Sequence, residues 1–491
     1  MKQMSYAEVE KINSGGTYGR IPLVKEIFSD TITPVLLVKK LKSVSKHCFL
    51  LESVEDTKQW GRYSFVGYNP VMEITCKDHH LEVKGERQLK KEVNHPGDYL
   101  RQLLKENKAP KIEGLPSFTG GLVGYFAYDY IKYVEPVLVL NAQDEENFND
   151  LDLMLFDKLY IFDHYLQKIF MVVNIKTNHL PENYSGGLKR LKEMEEIVSK
   201  GKEATAVKSE LKTSFTALFS QEEYCKKVAK VKEEIYQGNI FQLVLSNRFE
   251  AEFAGSLFDT YRVLRTTNPS PYMFYFSSST LELAGASPET LVKVTGKKVY
   301  TYPLAGTRPR GKTKQEDLEL AAALLKDKKE LAEHNMLVDL GRNDLGRICE
   351  FGSVKVEQYT KVLRFSHVMH LGSTVEGRLG PDQDALAAID SVLPAGTLSG
   401  APKIRACQII NATEACKRGV YGGAIGYLDF TGDMDTCIGI RFAYHKNHKV
   451  FIRAGAGIVA DSVPEKEYLE CENKMKAVLN ALEVATKGEK I

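Results

Sequence analysis

Two pairs of glutamates in the second half of the chain have the spacing of one helical turn. Glu330 and Glu333 form one pair, and Glu467 and Glu470 form the other. Side chains three apart on a helix share a face, and such an acidic face is usually solvated. Two acidic helices that converge without basic partners would repel each other unless a hard cation with oxygen ligands lay between them. The spacing therefore indicates a divalent metal site if the fold brings the two helices together.

Other polar clusters stand where predicted strands end, which is where sites are usually built. Glu289 follows one such strand, and residues 304–310 combine backbone amides, a hydroxyl and two guanidinium groups in a form suited to an anion or to a capped loop. Arg441 lies among apolar residues, which is costly unless the cation meets an anion. Residues 453–458 offer small side chains whose amides a carboxylate could approach closely. Together these clusters indicate a small polyanionic substrate.

Predicted strands and helices must position these groups. Their pattern predicts an α+β fold with large antiparallel sheets in a sandwich-like core and helices packed outside. Residues 21–175 read as short strands, among them 33–41, whereas 315–338, 383–393 and 464–485 read as helices. A capping box at Ser220 and Glu223 begins a further helix, and 240–253 reads as a strand with Gln242 on a largely apolar face. A polar stretch near 200–215 suggests a boundary between an N-terminal domain, 1–215, and a catalytic domain, 216–491.

Composition excludes several classes of protein. The 66 Lys and Arg residues nearly balance the 64 Asp and Glu residues, and no basic stretch interleaved with aromatics suggests nucleic-acid binding. The N-terminus lacks an apolar signal region and no apolar run is long enough to span a membrane, so we expect a cytoplasmic protein. The eight cysteines form no C-x-x-C pair, which argues against a disulfide framework or a zinc site.

A series of motifs, in order and spacing, resembles the chorismate-utilising enzymes, and the match covers residues 220–485. The motifs are GASPE (285–289), PLAGTRPRG (303–311), DLGRNDLGR (339–347), HVMHL (367–371), GTLSGAPK (396–403), YGGAIGY (421–427), IRAGAG (452–457) and SVPEKEYLECENK (462–474). The family comprises anthranilate synthase, aminodeoxychorismate synthase, isochorismate synthase and salicylate synthase. The resemblance implies a common fold and a site that binds chorismate with Mg²⁺.

Two positions choose among the members of the family. Enzymes that add water carry a lysine base where this chain has Gln242, and aminodeoxychorismate synthases usually carry a nucleophilic lysine where it has Ala305. The resemblance therefore implies a lyase that makes anthranilate and pyruvate from chorismate and ammonia, the first step of tryptophan synthesis. The alternatives are an aminodeoxychorismate synthase of the folate pathway and a catalytically silent amino-acid-binding protein.

The resemblance also assigns roles to individual residues. It implies that Glu333 and Glu470 bind Mg²⁺, with Glu330 and Glu467 nearby, and that Glu289 and His370 are the catalytic residues. Glu289 would protonate the leaving hydroxyl, and His370 would move the C2 proton. The implied substrate-binding residues are Gln242, Gly306, Thr307, Thr397, Tyr421, Arg441, Gly455, Ala456, Gly457 and Lys474.

Two shorter segments resemble the tryptophan-binding segments of the feedback-regulated members. They imply an inhibitor site formed by Glu52, Ser53, Pro271, Tyr272 and Met273. None of the cysteines lies in the G-x-C-x-G elbow of a glutaminase, so the ammonia should come from a separate glutamine amidotransferase subunit. The expected assembly is a heterotetramer of two large and two small subunits, and free ammonium salts should also serve.

Overall fold

The computed structural model describes residues 3–53, 61–205, 207–364 and 368–488. In its first part the helices are α1 (Tyr6–Asn13), α2 (Pro34–Leu41), α3 (Pro96–Glu106) and α4 (Leu180–Lys200), with a 3-10 helix at Tyr128–Tyr133. The strands there are β1 (Arg20–Phe28), β2 (Cys48–Glu52), β3 (Tyr63–Tyr68), β4 (Met72–Lys77), β5 (His80–Gly85), β6 (Leu89–Glu92), β7 (Gly121–Phe126), β8 (Leu151–Phe156), β9 (Lys158–Asp163) and β10 (Lys168–Lys176).

The second part contributes longer helices and the remaining strands. Its helices are α5 (Gln221–Tyr236), α6 (Phe258–Thr267), α7 (Lys314–Leu324), α8 (Lys328–Gly346), α9 (Ala385–Val392), α10 (Lys403–Glu414) and α11 (Pro464–Lys487), with a 3-10 helix at Gly396–Leu398. Its strands are β11 (Glu210–Leu211), β12 (Thr216–Ala217), β13 (Gln242–Ala254), β14 (Tyr272–Ser277), β15 (Glu282–Ser287), β16 (Thr290–Thr295), β17 (Lys298–Thr301), β18 (Leu304–Pro309), β19 (Lys355–Arg364), β20 (Val368–Arg378), β21 (Gly400–Ala401), β22 (Ala424–Asp429), β23 (Met434–Ile438), β24 (Phe442–Lys446) and β25 (Lys449–Ile458).

These strands form two large antiparallel sheets that pack face to face. One runs in the order β1-β10-β9-β3-β2-β14-β15-β24-β25-β13-β11, and the other in the order β18-β20-β17-β16-β23-β22-β7-β8-β4-β5-β6. Alternation along β2 shows how the layers are filled: Phe49 enters the core shared by the two sheets, whereas Cys48 and Leu50 join the outer core with α2, α4, α6 and α11. The predicted α+β sandwich with external helices is confirmed.

The two halves of the chain share both sheets. In the first sheet β2 pairs with β14, placing Glu52 opposite Met273, and in the second β7 pairs with β22, placing Gly124 opposite Gly426. The predicted division into domains at residue 215 stays a prediction. None of the helices in the described ranges has both the length and the apolar character needed to cross a membrane.

Local signals decided several elements correctly. Ser220 caps α5, where its hydroxyl accepts from the Glu223 amide and the Glu223 side chain accepts from the Ser220 amide, as the capping box predicts. The helices predicted near 383–393 and 464–485 are α9 and α11. A long strand begins at Gln242, and that residue is buried.

Two predictions about elements are wrong. Residues 33–41, predicted as a strand, form α2, because Thr33 caps the helix by accepting from the Leu36 amide and Pro34 takes the first helical position. The single helix predicted at 315–338 is two helices, α7 and α8. Asp327 separates them, because its carboxylate accepts from the amides of Lys329 and Glu330 and starts a new helix.

A fully buried ion pair ties the second half together. On α10 Glu414 accepts from Nε and Nη2 of Arg418 at 2.9 and 2.5 Å, and from the amide and hydroxyl of Ser246 on β13 at 2.8 and 2.9 Å. Arg418 also donates to the carbonyls of Leu398 and Val244. The pairing lowers the pKa of Glu414 against the effect of burial and raises that of Arg418. One pair therefore fixes α10, β13 and the turn at 396–398 relative to each other.

Replacement of Glu414 tests this role. Glu414→Gln should lower the free energy of unfolding by about 3–5 kcal/mol at pH 7, because the Arg418 charge would stay buried without its partner. The measurement is urea denaturation followed by circular dichroism. Glu222→Gln is the matched control, since Glu222 pairs with Lys226 at the same helical spacing on the surface; we expect a change within about 0.5 kcal/mol. A loss below about 1 kcal/mol for Glu414→Gln would contradict the argument.

Candidate active site

A large cavity of about 620 Å³ opens where β13, β18, β20 and β25 meet α8 and α11. We call it the large cavity. It gathers groups that lie far apart in the sequence, and the predicted site residues that line it are Gln242, Glu289, Gly306, Thr307, Glu333, His370, Thr397, Tyr421, Arg441, Gly455, Gly457, Glu470 and Lys474. The sites predicted separately on strands and helices are therefore parts of one site.

One wall of the large cavity is formed by β13 and β25. Their antiparallel register places Val244 opposite Gly457. A Cβ atom at position 457 would come within 3.1 Å of Nε2 in the Gln242 side chain. At position 455 a side chain would meet the Leu245 carbonyl at 2.8 Å. The glycines thus keep the backbone of this wall open to a ligand.

Ala456 is the exception among the predicted substrate-binding residues. Its side chain is fully buried on the opposite face of β25, where it joins the core beneath α5 and α10. Successive residues of a strand point to opposite faces, so only the backbone of Ala456 could contact a ligand, and its predicted role through the backbone amide stays a prediction.

Glu289 stands in the loop between β15 and β16, at the inner end of the large cavity. Its backbone carbonyl accepts from the Ile438 amide, and its carboxyl accepts from the Thr397 hydroxyl at 3.1 Å. Burial raises the pKa of Glu289 to about 7, although the Thr397 hydrogen bond and the Lys474 charge both act to lower it. A substantial fraction of this carboxyl is therefore protonated near neutral pH, which suits a general acid.

His370 faces the same space from β20. A bulge in the pairing with β18 makes Gly306 an extra residue with a φ of 65°, and its carbonyl lies 2.9 Å from Nδ1 of His370. Because a carbonyl only accepts, Nδ1 carries the proton and Nε2 is left as the basic nitrogen. Burial lowers the pKa of His370, and the nearby Arg441 charge lowers it further. The imidazole is therefore neutral at neutral pH.

Two cations face these groups across the large cavity. Arg441 lies between β23 and β24 in a left-handed conformation, with φ 56°, and donates from Nη1 to the Lys474 carbonyl at 2.7 Å. Burial lowers the pKa of Arg441. Lys474 donates to the Gly455 carbonyl at 2.9 Å and pairs with Glu470 at 2.7 Å. A backbone held in this uncommon region, beside a buried charge, is typical of a functional position.

The two acidic helices do converge on the large cavity. Glu330 and Glu333 enter from α8, and Glu467 and Glu470 enter from α11. The surrounding protein raises the pKa of Glu333, and the charges of Glu330 and Glu470 raise it further. Burial likewise raises the pKa of Glu467. Among the described residues no three potential ligands are grouped closely enough to hold a metal ion as they stand, but the set of carboxylate oxygens fits a hard divalent cation.

Two lysines of the large cavity were missed in the sequence. Lys329 and Lys466 lie in the first turns of α8 and α11 and line the cavity beside the glutamates. Each precedes a predicted metal ligand by four residues, so helical spacing alone places Lys329 with Glu333 and Lys466 with Glu470. That spacing was the available signal.

A second cavity, of about 240 Å³, lies between the sheets away from the first. We call it the second cavity. The residues predicted to bind tryptophan all line it, and they are Glu52, Ser53, Pro271, Tyr272 and Met273. Phe65 and Tyr427 add aromatic surface.

Polar groups also line the second cavity. The buried Glu52 carboxylate accepts from the Ser64 hydroxyl at 2.9 Å and from Arg265 at 2.8 Å, and it also accepts from the Tyr261 hydroxyl. The Ser53 hydroxyl is buried without a hydrogen-bond partner among the residues that the structure describes. A cavity with aromatic walls that also contains the charged groups of Glu52, Lys293 and Asp435 suits a small amphipathic ligand.

Comparisons with known proteins agree with the geometry. A family model described as chorismate binding enzyme matches residues 46–480. Anthranilate synthase component 1 of Acetivibrio thermocellus is 43% identical over 477 residues, which cover 95% of this chain and 96% of that protein. The corresponding protein of Aquifex aeolicus is 42% identical and covers 99% of both chains.

Solved structures give the same result. The crystal structure of anthranilate synthase component I from Streptococcus pneumoniae superposes with a TM-score of 0.77 at 38% identity, covering 92% of this chain and 98% of that one. The menaquinone-specific isochorismate synthase of Escherichia coli shares the fold, with a TM-score of 0.71 at 19% identity over 97% of this chain and 100% of that one. The extent of the family match and these identities confirm the resemblance found in the motifs, and the chain belongs to the chorismate-binding enzyme family.

Proposed function

We propose that this chain converts chorismate and ammonia into anthranilate and pyruvate, the first step of tryptophan synthesis. The observation that carries the proposal is that Gln242 and Ala305 both face the large cavity. An amide cannot act as a base and a methyl group cannot act as a nucleophile, so neither water activation nor a covalent adduct is available at these positions. Relatives more than 40% identical that carry the name anthranilate synthase component 1 support the same choice.

The charges of the large cavity suit a dicarboxylate. Arg441 and Tyr421 would hold the enolpyruvyl carboxylate, and Lys474 would neutralise further charge. The open backbone at Gly455 and Gly457 admits the ligand close to the sheet. Thr307 would line the outer side.

Amination requires the loss of a poor leaving group. As ammonia adds at C2, the double bonds shift and the C4 hydroxyl leaves as water only if a proton reaches it. Glu289 suits this step. With a pKa of about 7, a substantial fraction of the carboxyl is protonated near neutral pH and can donate its proton to the leaving hydroxyl. Its Thr397 hydrogen bond fixes which oxygen faces the substrate.

Elimination of pyruvate requires a base at C2. The Nε2 lone pair of neutral His370 would take the C2 proton while the C3–O bond breaks, the ring becomes aromatic, and enolpyruvate leaves to become pyruvate. The Gly306 carbonyl holds the imidazole in the required tautomer.

Glu333 and Glu470 would hold Mg²⁺, with Glu330 and Glu467 as neighbouring carboxylates. The ion would supply charge neutralisation and orientation for the ring carboxylate. In the free protein, the pairing of Lys474 with Glu470 and of Arg308 with Glu330 disperses part of this acidic charge.

Ammonia needs a source, and relatives named component 1 imply a partner component. We propose a glutamine amidotransferase subunit that delivers ammonia to the large cavity, in a cytoplasmic heterotetramer of two large and two small subunits. Free ammonium salts should replace the partner in solution.

The second cavity would bind tryptophan as a feedback inhibitor. Its aromatic walls suit the indole ring, and Glu52 would attract the ammonium group. A physical link to the large cavity exists: the Tyr272 hydroxyl lies 2.9 Å from the hydroxyl of Thr290, the residue that follows Glu289. A ligand that displaces Tyr272 would therefore shift Thr290 and the loop that carries Glu289.

Replacement of His370 separates the two chemical steps. With chorismate, Mg²⁺ and an ammonium salt, the unmodified chain should release anthranilate and pyruvate in equal amounts. His370→Met should still consume chorismate but release at least about 100-fold less of both products, because the C2 proton lacks its base. Anthranilate fluorescence, a coupled pyruvate assay and chorismate absorbance report the three species.

His80→Met, at an exposed position of β5, is the control and should behave like the unmodified chain. Full anthranilate production by His370→Met would rule out the role given to His370. Chorismate loss without pyruvate in the unmodified chain would instead indicate aminodeoxychorismate synthesis, and no turnover would indicate a silent binding protein.

The pH dependence of the reaction tests the role given to Glu289. Because burial raises the Glu289 pKa to about 7, the protonated acid is present below that pH and is lost above it. With free ammonia held constant, kcat/KM for chorismate should fall with rising pH from about 7, approaching tenfold per unit. Glu289→Gln should remove this limb and lower kcat/KM by at least about 100-fold. An unchanged pH profile in Glu289→Gln would contradict the assignment.

A bulky substitution in the second cavity tests whether tryptophan binds there. Ser53→Phe should fill the space where the indole ring would lie, so the tryptophan concentration for half inhibition should rise at least about tenfold. The turnover without tryptophan should change less than about twofold, because Ser53 lies outside the large cavity. Ser43→Phe, at an exposed position, is the matched control. Undiminished inhibition of the Ser53→Phe enzyme would place the inhibitor elsewhere.

A further inference from the structure

A third cavity, of about 480 Å³, lies on the outer side of the first sheet, between the start of α2, the turn after β9 and the last turns of α6. We call it the arginine cavity. Its polar lining consists of Arg262, Arg265, His164, Gln167 and the hydroxyl residues Ser29, Thr33 and Thr266. No Asp or Glu is among the described residues that line it, so its lining is basic and rich in donors.

The two guanidinium groups come from one face of α6. Arg262 donates one bond, from Nη1 to Asp259 at 2.8 Å. Arg265 uses Nε and Nη2 for Glu52, at 2.8 and 3.2 Å. Since each guanidinium has five N–H donors, both keep donors for a ligand in the arginine cavity.

The opposite side of the arginine cavity is also electropositive. Thr33, Pro34 and Val35 form the N-terminus of α2, the positive end of its backbone dipole, and all three line the cavity. Pro34 has no N–H and Leu36 already donates to Thr33, so this side would contribute the Val35 amide and the helix dipole to an anion bound by the two arginines.

The wall of the arginine cavity reaches the second cavity through one shared group, the Glu52 carboxylate. Arg265 binds Glu52 directly. His164 reaches it through Ser64: the Ser64 hydroxyl donates to Glu52 at 2.9 Å, and His164 Nε2 lies 2.6 Å from that hydroxyl oxygen. Because the Ser64 proton is committed to Glu52, His164 must donate to Ser64. Glu52 itself lines the second cavity.

We propose that the arginine cavity binds a small oxyanion, a phosphate or carboxylate group, on Arg262 and Arg265, and that this anion strengthens ligand binding at Glu52. The anion would neutralise part of the positive charge that now compensates Glu52. The carboxylate would then attract a cationic group in the second cavity more strongly. The coupling rests on the proposed tryptophan site, whereas the binding of the anion does not.

Phosphate binding is tested first, without chorismate, Mg²⁺ or tryptophan. Inorganic phosphate is titrated calorimetrically into the full chain at constant ionic strength, so that screening does not change. Saturable binding should weaken at least about tenfold in Arg262→Gln, because a charge-assisted contact is lost. Arg342→Gln is the matched control, since Arg342 pairs with Asp339 at the same helical spacing but on an exposed surface; its binding should equal that of the unmodified chain.

The large cavity also contains cations, so Arg441→Gln distinguishes the two sites. Phosphate binding that survives in Arg441→Gln and fails in Arg262→Gln supports the arginine cavity. Binding that fails in Arg441→Gln and survives in Arg262→Gln, or no saturable binding at all, overturns the proposal. An unchanged urea midpoint for Arg262→Gln excludes loss of the fold as the reason.

Coupling is tested by titrating tryptophan with and without saturating phosphate. The unmodified chain should bind tryptophan at least about threefold more tightly with phosphate present, and Arg262→Gln should show no difference. Equal affinities in the unmodified chain would overturn the coupling and leave the anion site standing. Absence of any tryptophan binding would count against the proposed feedback site and the coupling together, while the phosphate titration would still decide the anion site.

Discussion

Arg418 and Glu414 form the buried ion pair on which the geometry of the large cavity depends. Buried charges are tolerated when they are paired and hydrogen-bonded, and here the guanidinium binds Glu414 and two backbone carbonyls while the carboxylate also binds Ser246. The carbonyls belong to Val244 and Leu398. The pair therefore sets the distance between the strand that carries Gln242 and the turn that carries Thr397, and with it the shape of the site.

Within this geometry, burial shifts the pKa values of the two proposed catalytic residues, Glu289 and His370, in opposite directions. It raises the pKa of Glu289 to about 7 and lowers that of His370, so near neutral pH a protonated carboxyl and a neutral imidazole coexist in one cavity. Environments that shift the pKa values of two titratable groups in opposite directions are a general means of assigning acid and base roles. Arg441 and Lys474, which donate to the carbonyls of Lys474 and Gly455, would form the anion-binding half of the proposed site.

The sharing of both sheets between the two halves of the chain would give the proposed feedback inhibition a physical route. Glu52 and Met273 are opposite each other in one sheet, and the hairpin that contains Met273 leads into the loop of Glu289. Glu52 also joins the second cavity to the arginine cavity through Arg265. A charge or side chain that moves at this junction would therefore act on strands that pair the two halves of the chain.

The sequence by itself determined the family, the α+β class and the residue types of the site, because motif order, strand alternation and the capping box at Ser220 are local properties. It failed at residues 33–41, where the Thr33 cap outweighs a strand-like composition, and at Asp327, which ends one helix and starts another. Only the tertiary structure decided that α8 and α11 face one cavity, that Ala456 points away from it, and that Glu289 becomes a weak acid. These depend on burial and on contacts between residues distant in the chain, which the local pattern does not fix at these positions.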